Sequence, residues 1–179
     1  KANAEKNLQN ARALFESYLD GVFSQKGEGW EEKPLVEICN VKDGTHDSPK
    51  YVLEGIPFVT QKNIKDNGFT LENTKFISQD DHDKFYKRSN VAYEDILISM
   101  IGANRGMACI VDNKMVFSIK NVGLVKRSDS INPYFLLYFL KSSMAAEYVS
   151  TRSKGGAQEF IGLTELRKFP IRITSLMRQ

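Results

Sequence analysis

"DILISMIGANRGMACIV", residues 95–111, decides how this chain is read. Two apolar runs, "DILISMI" (95–101) and "MACIV" (107–111), enclose a short polar tip. Gly102 and Gly106 bracket Ala103, Asn104 and Arg105 between them. Apolar runs rich in β-branched residues and punctuated by glycine spell a β-hairpin. The tip carries one amide and one guanidinium. Such a tip is a solvated turn, or it is a reader of DNA, since Arg pairs with guanine and Asn with adenine in the major groove.

Outward from the hairpin the same texture continues. "LVEICNV" (35–41), "GIPFVT" (55–60), "NVGLVK" (121–126) and "FPIRI" (169–173) read as further short strands. Between them lie helical signals. In "SQDDHDKFYKRSN" (78–90) Ser78 is a candidate cap, and aspartates precede Lys84, Lys87 and Arg88, an order that complements the helix dipole. His82 lies among those aspartates and is expected on a solvated face. "INPYFLLYFLKSSMAAEYV" (131–149) reads as a second helix, with Asn132 as cap and Pro133 in its first position. A short turn is expected at 164–168 before the last strand. These elements predict an α+β fold with a mixed or antiparallel, β-rich body.

The N-terminal segment differs in kind. Leu8, Ala11, Phe15, Tyr18 and Val22 recur at alternating spacings of three and four, a heptad-type seam on a helix over 3–25. Leu14, Leu19 and Phe23 widen the stripe, and Gly27 and Gly29 are expected to stop the helix. One helix cannot bury such a stripe alone. It packs on the adjoining domain, or it is the end of a longer coiled coil. The boundary is set after residue 29, which leaves 1–29 as helix and connecting turn and 30–179 as the second unit.

Composition narrows the function. At 41% hydrophobic, the chain can bury a core. No apolar run approaches the roughly 20 residues of a membrane span, and no secretory signal opens it. It starts at Lys1 and is expected to be a piece of something longer. Cys39 and Cys109 sit in apolar contexts and are expected as buried thiols in a reducing, cytoplasmic compartment. With His46 and His82 they lack the spacing of a zinc site. Residues 141–179 carry seven basic and three acidic side chains, a bias compatible with a polyanion partner.

Catalytic motifs fare poorly. "DGTHDSPKY" (43–51) gathers His46, Ser48 and two aspartates, but no oxyanion motif accompanies them. Asp43-Gly44 and Ser48-Pro49 are turn signals, so a turn presenting polar groups is expected. Asn132-Pro133-Tyr134-Phe135 resembles the motif by which amino-methyltransferases grip a flipped adenine, but lacks its second proline, and a helix start accounts for it. "TQKNI" (60–64) and "STRSKGGAQEFIG" (150–162) add two loops rich in amides, hydroxyls and cations. Four polar loops with no acid–base pair or metal cluster favour recognition over catalysis.

The order of these pieces closely resembles the target-recognition domain of type I restriction-modification specificity subunits. Five segments carry the likeness: a tryptophan before the first strand, then "DGTHDSPKY", "GIPFVTQKNI", "EDILISMIGANRGMACIV" and "GGAQEFIGLTELRKFPI", over about residues 30–173. The helix before Trp30 is similar to the distal end of that family's spacer helix. The resemblance implies reading of one half of a bipartite duplex sequence, with the helix as part of a ruler. It implies no catalytic residue, metal or cofactor here, with S-adenosylmethionine and ATP held by partner subunits. The implied partners are double-stranded DNA, a modification (methyltransferase) subunit, indirectly a restriction subunit, and a second spacer helix from the parent chain or a dimer mate. That helix would meet Leu8, Ala11, Phe15, Tyr18 and Val22.

On this reading the DNA contacts expected are Thr45, His46 and Ser48 from the first loop and Gln61 and Asn63 from the second. Asn104 and Arg105 would come from the hairpin, and Gln158 from the glycine-rich loop. Arg105 and Asn104 are the favoured base readers, while Lys62, Arg152 and Lys154 suit phosphates. A self-contained nucleic-acid-modifying enzyme and a helix-mediated assembly module without a DNA role stand as alternatives.

Overall fold

The computed structural model describes residues 2–25, 28–156, 159–176 and 179. Helix α1 (Ala2–Phe23) leads into an antiparallel ribbon of β1 (Glu31–Pro34) and β11 (Pro170–Ile173), which brings the two ends of the domain together. Arg172 reinforces this closure by donating to the Phe23 carbonyl at 3.1 Å.

The centre is a four-stranded antiparallel sheet in the order β2 (Val41–Asp43), β10 (Val122–Val125), β7 (Ile96–Ser99), β8 (Ala108–Ile110). The hairpin expected over 95–111 is thus its β7–β8 edge, with Ile96 opposite Ile110. Alternation along the strands sends side chains to both faces. Ile96, Ile98, Ala108, Ile110 and Val125 pack with a helical layer: Leu19 and Phe23 of α1, α4 (Pro133–Leu140), α5 (Ser143–Arg152) and α6 (Leu163–Arg167). Leu97, Cys109, Val122 and Leu124 face the other way, onto Val59 and Ile119. Those two belong to a three-stranded mixed sheet, ordered β6 (Lys75–Ile77), β3 (Ile56–Thr60), β9 (Ser118–Lys120), with β3 and β9 parallel. Its outer face buries Phe58 and Ile77 under Phe85 of α3 (Gln79–Ser89). A small hairpin, β4 (Ile64–Lys65) with β5 (Gly68–Phe69), completes the body. The order is helices, sheet, sheet, helix, an α+β architecture.

Several expectations change. "LVEICNV" is not one strand. After Pro34, α2 (Leu35–Ile38) makes a single helical turn that buries Leu35 and Ile38 and exposes Val36, before β2 begins at Val41. A three-residue spacing of buried positions suits a helix turn. The helix expected across 131–149 breaks into α4 and α5 at Lys141–Ser142, where Ser142 caps α5 by accepting from Ala145 N. Asn132 caps α4, accepting from Tyr134 N and Phe135 N, so its motif is a helix start. The turn expected at 164–168 lies largely within α6. His82 is buried, not solvated: its Nδ1 meets Ser118 Oγ at 2.8 Å, tying α3 to β9.

Helix α1 divides along its length. Leu19 and Phe23 are buried, Val22 packs at their margin, and Phe15 meets Tyr138 edge-on at 5.7 Å. Leu8, Ala11, Leu14 and Tyr18 are exposed. Gly27, expected to help stop the helix, lies outside the described residues; Gly29, expected to do the same, does not, since α1 already ends at Phe23.

Candidate nucleic-acid interface

The first of the four loops, 43–51, is built on a strand that changes sheets. Asp43 ends β2 against β10, and Thr45 pairs with Lys120 at the edge of the second sheet. Gly44 sits between, its N–H on the Val122 carbonyl at 2.9 Å. A Cβ there would stand 2.3 Å from the Ile119 carbonyl oxygen, so only glycine passes. The turn expected at Asp43-Gly44 is therefore an extended crossing. Thr45 is consequently buried, with its N–H on Ile119 O at 3.0 Å, and is not at a tip.

The crossing also orders the polar groups around it. The Asp43 carboxylate, itself buried, receives Arg88 Nε and Nη2 at 3.0 and 2.6 Å. Its other oxygen meets His46 Nε2 at 3.1 Å, and His46 Nδ1 meets Asn121 Oδ1 at 2.7 Å. Asn121 has a left-handed φ of 52°, a conformation asparagine adopts more readily than most residues. An Asp–His pair suggests a hydrolase, but a triad needs the second ring nitrogen on a nucleophile. Here an amide takes it, and Ser48 Oγ instead accepts from Lys120 Nζ at 2.6 Å. His46 is mostly exposed yet has both nitrogens engaged, so the face of its ring is what it offers.

Beside it, "TQKNI" forms a 3-10 turn over Gln61–Asn63. Asn63 is buried and works inward: its Oδ1 accepts from Thr60 N at 2.9 Å, and its Nδ2 donates to Thr70 O and Thr74 Oγ1 at 3.0 and 2.8 Å. Gln61 and Lys62 face a cleft of about 480 Å³. Lys65, Lys75 and Lys120 also line it, with Asn73, Asn121 and a single carboxylate, Glu72. Lys75 stands over the Tyr51 ring at 4.2 Å, a cation–π contact that holds both at the rim.

The other two loops meet elsewhere. Arg105 is held by the glycine-rich loop: its Nε donates to Ser153 Oγ at 2.9 Å and its Nη2 pairs with Glu159. At 19% side-chain exposure it is a latch more than a free reader. Asn104 remains exposed at the tip. Lys154 bonds through its main chain to Phe160 at 2.8 Å both ways and leaves its side chain exposed. Arg152 is exposed, 5.8 Å over the Tyr148 ring. Gln158 lies outside the described residues. Asn104, Arg105 and Lys141 line a second hollow of about 290 Å³. The β4–β5 hairpin contributes to both sites, Lys65 to the cleft and Asp66 to the hollow.

The four loops thus gather as two pairs flanking one hairpin. Sequence reasoning missed Lys65, Glu72, Asn73, Lys75, Lys120 and Asn121, because each looks like an ordinary surface residue until the chain folds. Among the described residues, no group of three or more His, Cys, Asp or Glu could hold a metal, and no helix is long and apolar enough to cross a membrane. Both cysteines are buried and free, and burial pushes their thiols up, Cys39 to about 11 and Cys109 to about 12.

A two-sheet α+β body that presents a lysine-lined cleft beside amide-bearing loops defines a polyanion-binding class of domain. Within that class, the family described as the type I restriction modification DNA specificity domain matches residues 27–179, and the chain belongs to it. Such a domain confers specificity and is non-catalytic. Among solved structures, the chain is similar to one from work on complex assembly and conformational transition of the type I R-M system, with a TM-score of 0.73, 19% identity and 97% of this chain covered. It is also similar to the HsdS subunit of Thermoanaerobacter tengcongensis (TM-score 0.68, 20% identity, 97% covered). A third is the type I restriction-modification S subunit of M. genitalium (TM-score 0.55, 17% identity, 84% covered). The chain spans 42%, 41% and 36% of those three chains, respectively. No curated protein matches it.

Proposed function

We propose that this chain reads one half of a bipartite double-stranded DNA target for a type I restriction-modification complex. The observation that carries the reading is a cleft lined by Lys62, Lys65, Lys75 and Lys120 together with amide side chains and one carboxylate. Ammonium groups attract phosphate without regard to sequence, and amides sort base edges. Gln61 and Asn73 suit the bases. Lys62 and Lys120 suit the backbone, and Asn104, Arg152 and Lys154 extend the contact past the β4–β5 hairpin. Thr45, Asn63 and Arg105 support this surface from within.

Methylation and cleavage would belong to a modification and a restriction subunit, with S-adenosylmethionine and ATP bound there. Helix α1, within residues 1–29, would act as part of the ruler and 30–179 as the target-recognition domain. Leu8, Ala11 and Tyr18, which the domain leaves exposed, would meet a second spacer helix, with Phe15 and Val22 at the junction.

The test is the salt dependence of duplex binding by the full chain. Log affinity should fall linearly with log salt, and Lys62→Ala and Lys120→Ala should each lower the slope by about one. Binding indifferent to salt, or absent at low salt, would sink the reading.

A further inference from the structure

The turn between β5 and β6 carries Glu72 and Asn73 into the lysine-lined cleft. Both side chains are exposed. Among the described residues, Glu72 forms no ion pair although four lysines line the same cleft. The turn is held firmly from behind. Thr74 N bonds to Leu71 O at 3.1 Å, Glu72 N to Thr70 Oγ1 at 3.1 Å, and buried Asn63 donates to both Thr70 O and Thr74 Oγ1. Asn73 adopts a left-handed φ of 55° at its apex.

A carboxylate on a phosphate-binding surface weakens attraction for every DNA sequence. It offsets that loss where it accepts from a base, and cytosine N4 suits a carboxylate better than adenine N6, which lies beside the acceptor N7. An asparagine beside it suits adenine, donating to N7 and accepting from N6. Both need a rigid mount, since a mobile side chain reads poorly.

We infer that Glu72 and Asn73 are specificity-determining residues of the half-site, with Glu72 selecting a cytosine and Asn73 an adenine, and that Asn63 is the positioning residue that holds their turn. This rests on the DNA reading proposed above. Glu72 also rejects: where the base it faces offers an acceptor, as guanine O6 or thymine O4 does, two acceptors confront each other without a proton.

The experiment selects binding sites for the full chain from a random duplex library at low salt, and repeats the selection with Glu72→Gln and Asn73→Gly. The glycine keeps the left-handed backbone and removes only the amide. Glu72→Gln should lose discrimination at a cytosine position by roughly tenfold and bind non-selected DNA more tightly, with the remaining positions unchanged. Asn73→Gly should relax one adenine position. Asn63→Ala should relax both together, and the thermal transition of each variant shows whether the body remains folded. If both surface variants select the parent's motif, this assignment is overturned and the DNA reading stands. If the parent shows no salt-dependent binding, the DNA reading falls and takes this inference with it.

Discussion

At Gly44 the hydrogen in place of a side chain is what lets one strand serve two sheets. Gly44→Ala would drive a methyl group into the Ile119 carbonyl, 2.3 Å away, and main chain cannot step aside. The substitution should cost at least about 2 kcal/mol, read as a lower urea midpoint at unchanged slope. Cys39 and Cys109 give a second residue-scale test. Their folded pKa values, about 11 and about 12, lie above the ordinary thiol value of 9.0 because burial disfavours the thiolate. Below pH 9 both states keep the proton, and the thiols' contribution to stability is fully present. Above it the unfolded chain releases the proton first, so stability falls as pH rises toward the folded values. The slope approaches about 1.4 kcal/mol per pH unit for each thiol. Cys109→Ala should flatten the decline between pH 9 and 11 in denaturant titrations. An unchanged decline would show that Cys109 is not the group responsible.

Among the elements, α1 is divided between two environments, the core and solvent. Its C-terminal turns are part of the core through Leu19 and Phe23, while Leu8 and Leu14 point to solvent. Leu19→Ala should cost about 2–4 kcal/mol by leaving a cavity against α4 and α5. Leu8→Ala and Leu14→Ala should fall within about 0.5 kcal/mol. Equal effects of all three on the thermal midpoint would mean that the free half of α1 is covered in solution. The heptad pattern could not mark this division, since the same spacing suits a core and a coiled coil. Likewise "LVEICNV" reads as a strand by apolarity, and only the burial of Leu35 and Ile38 in the core beneath the helical layer selects a helical turn. Strands with glycine-bounded β-branched runs, such as β7 and β8, were legible because local preference and burial agree there.

Over the whole molecule, some loop residues are bonded inward and others stay exposed, and mutation should separate the two kinds. Arg105 joins the β7–β8 hairpin to the glycine-rich loop through Ser153 and Glu159. Arg105→Ala should lower stability by about 1–2 kcal/mol. Lys62→Ala should leave stability unchanged and flatten the salt dependence of DNA binding. An Arg105→Ala chain as stable as the parent, with one base position relaxed, would restore Arg105 to the role of reader. The hairpin over 95–111, the caps of α3 and α4, the heptad stripe and the polar loops were legible in the chain, because each depends on residues close in it. Which polar residues face outward was settled by the fold. Thr45, Asn63 and His82 are indistinguishable from surface residues until distant partners bury them and satisfy their hydrogen bonds. Lys75 and Lys120 share a cleft solely because β3 lies between β6 and β9. Composition registers charge, but where charges meet depends on strand order, which no local preference encodes.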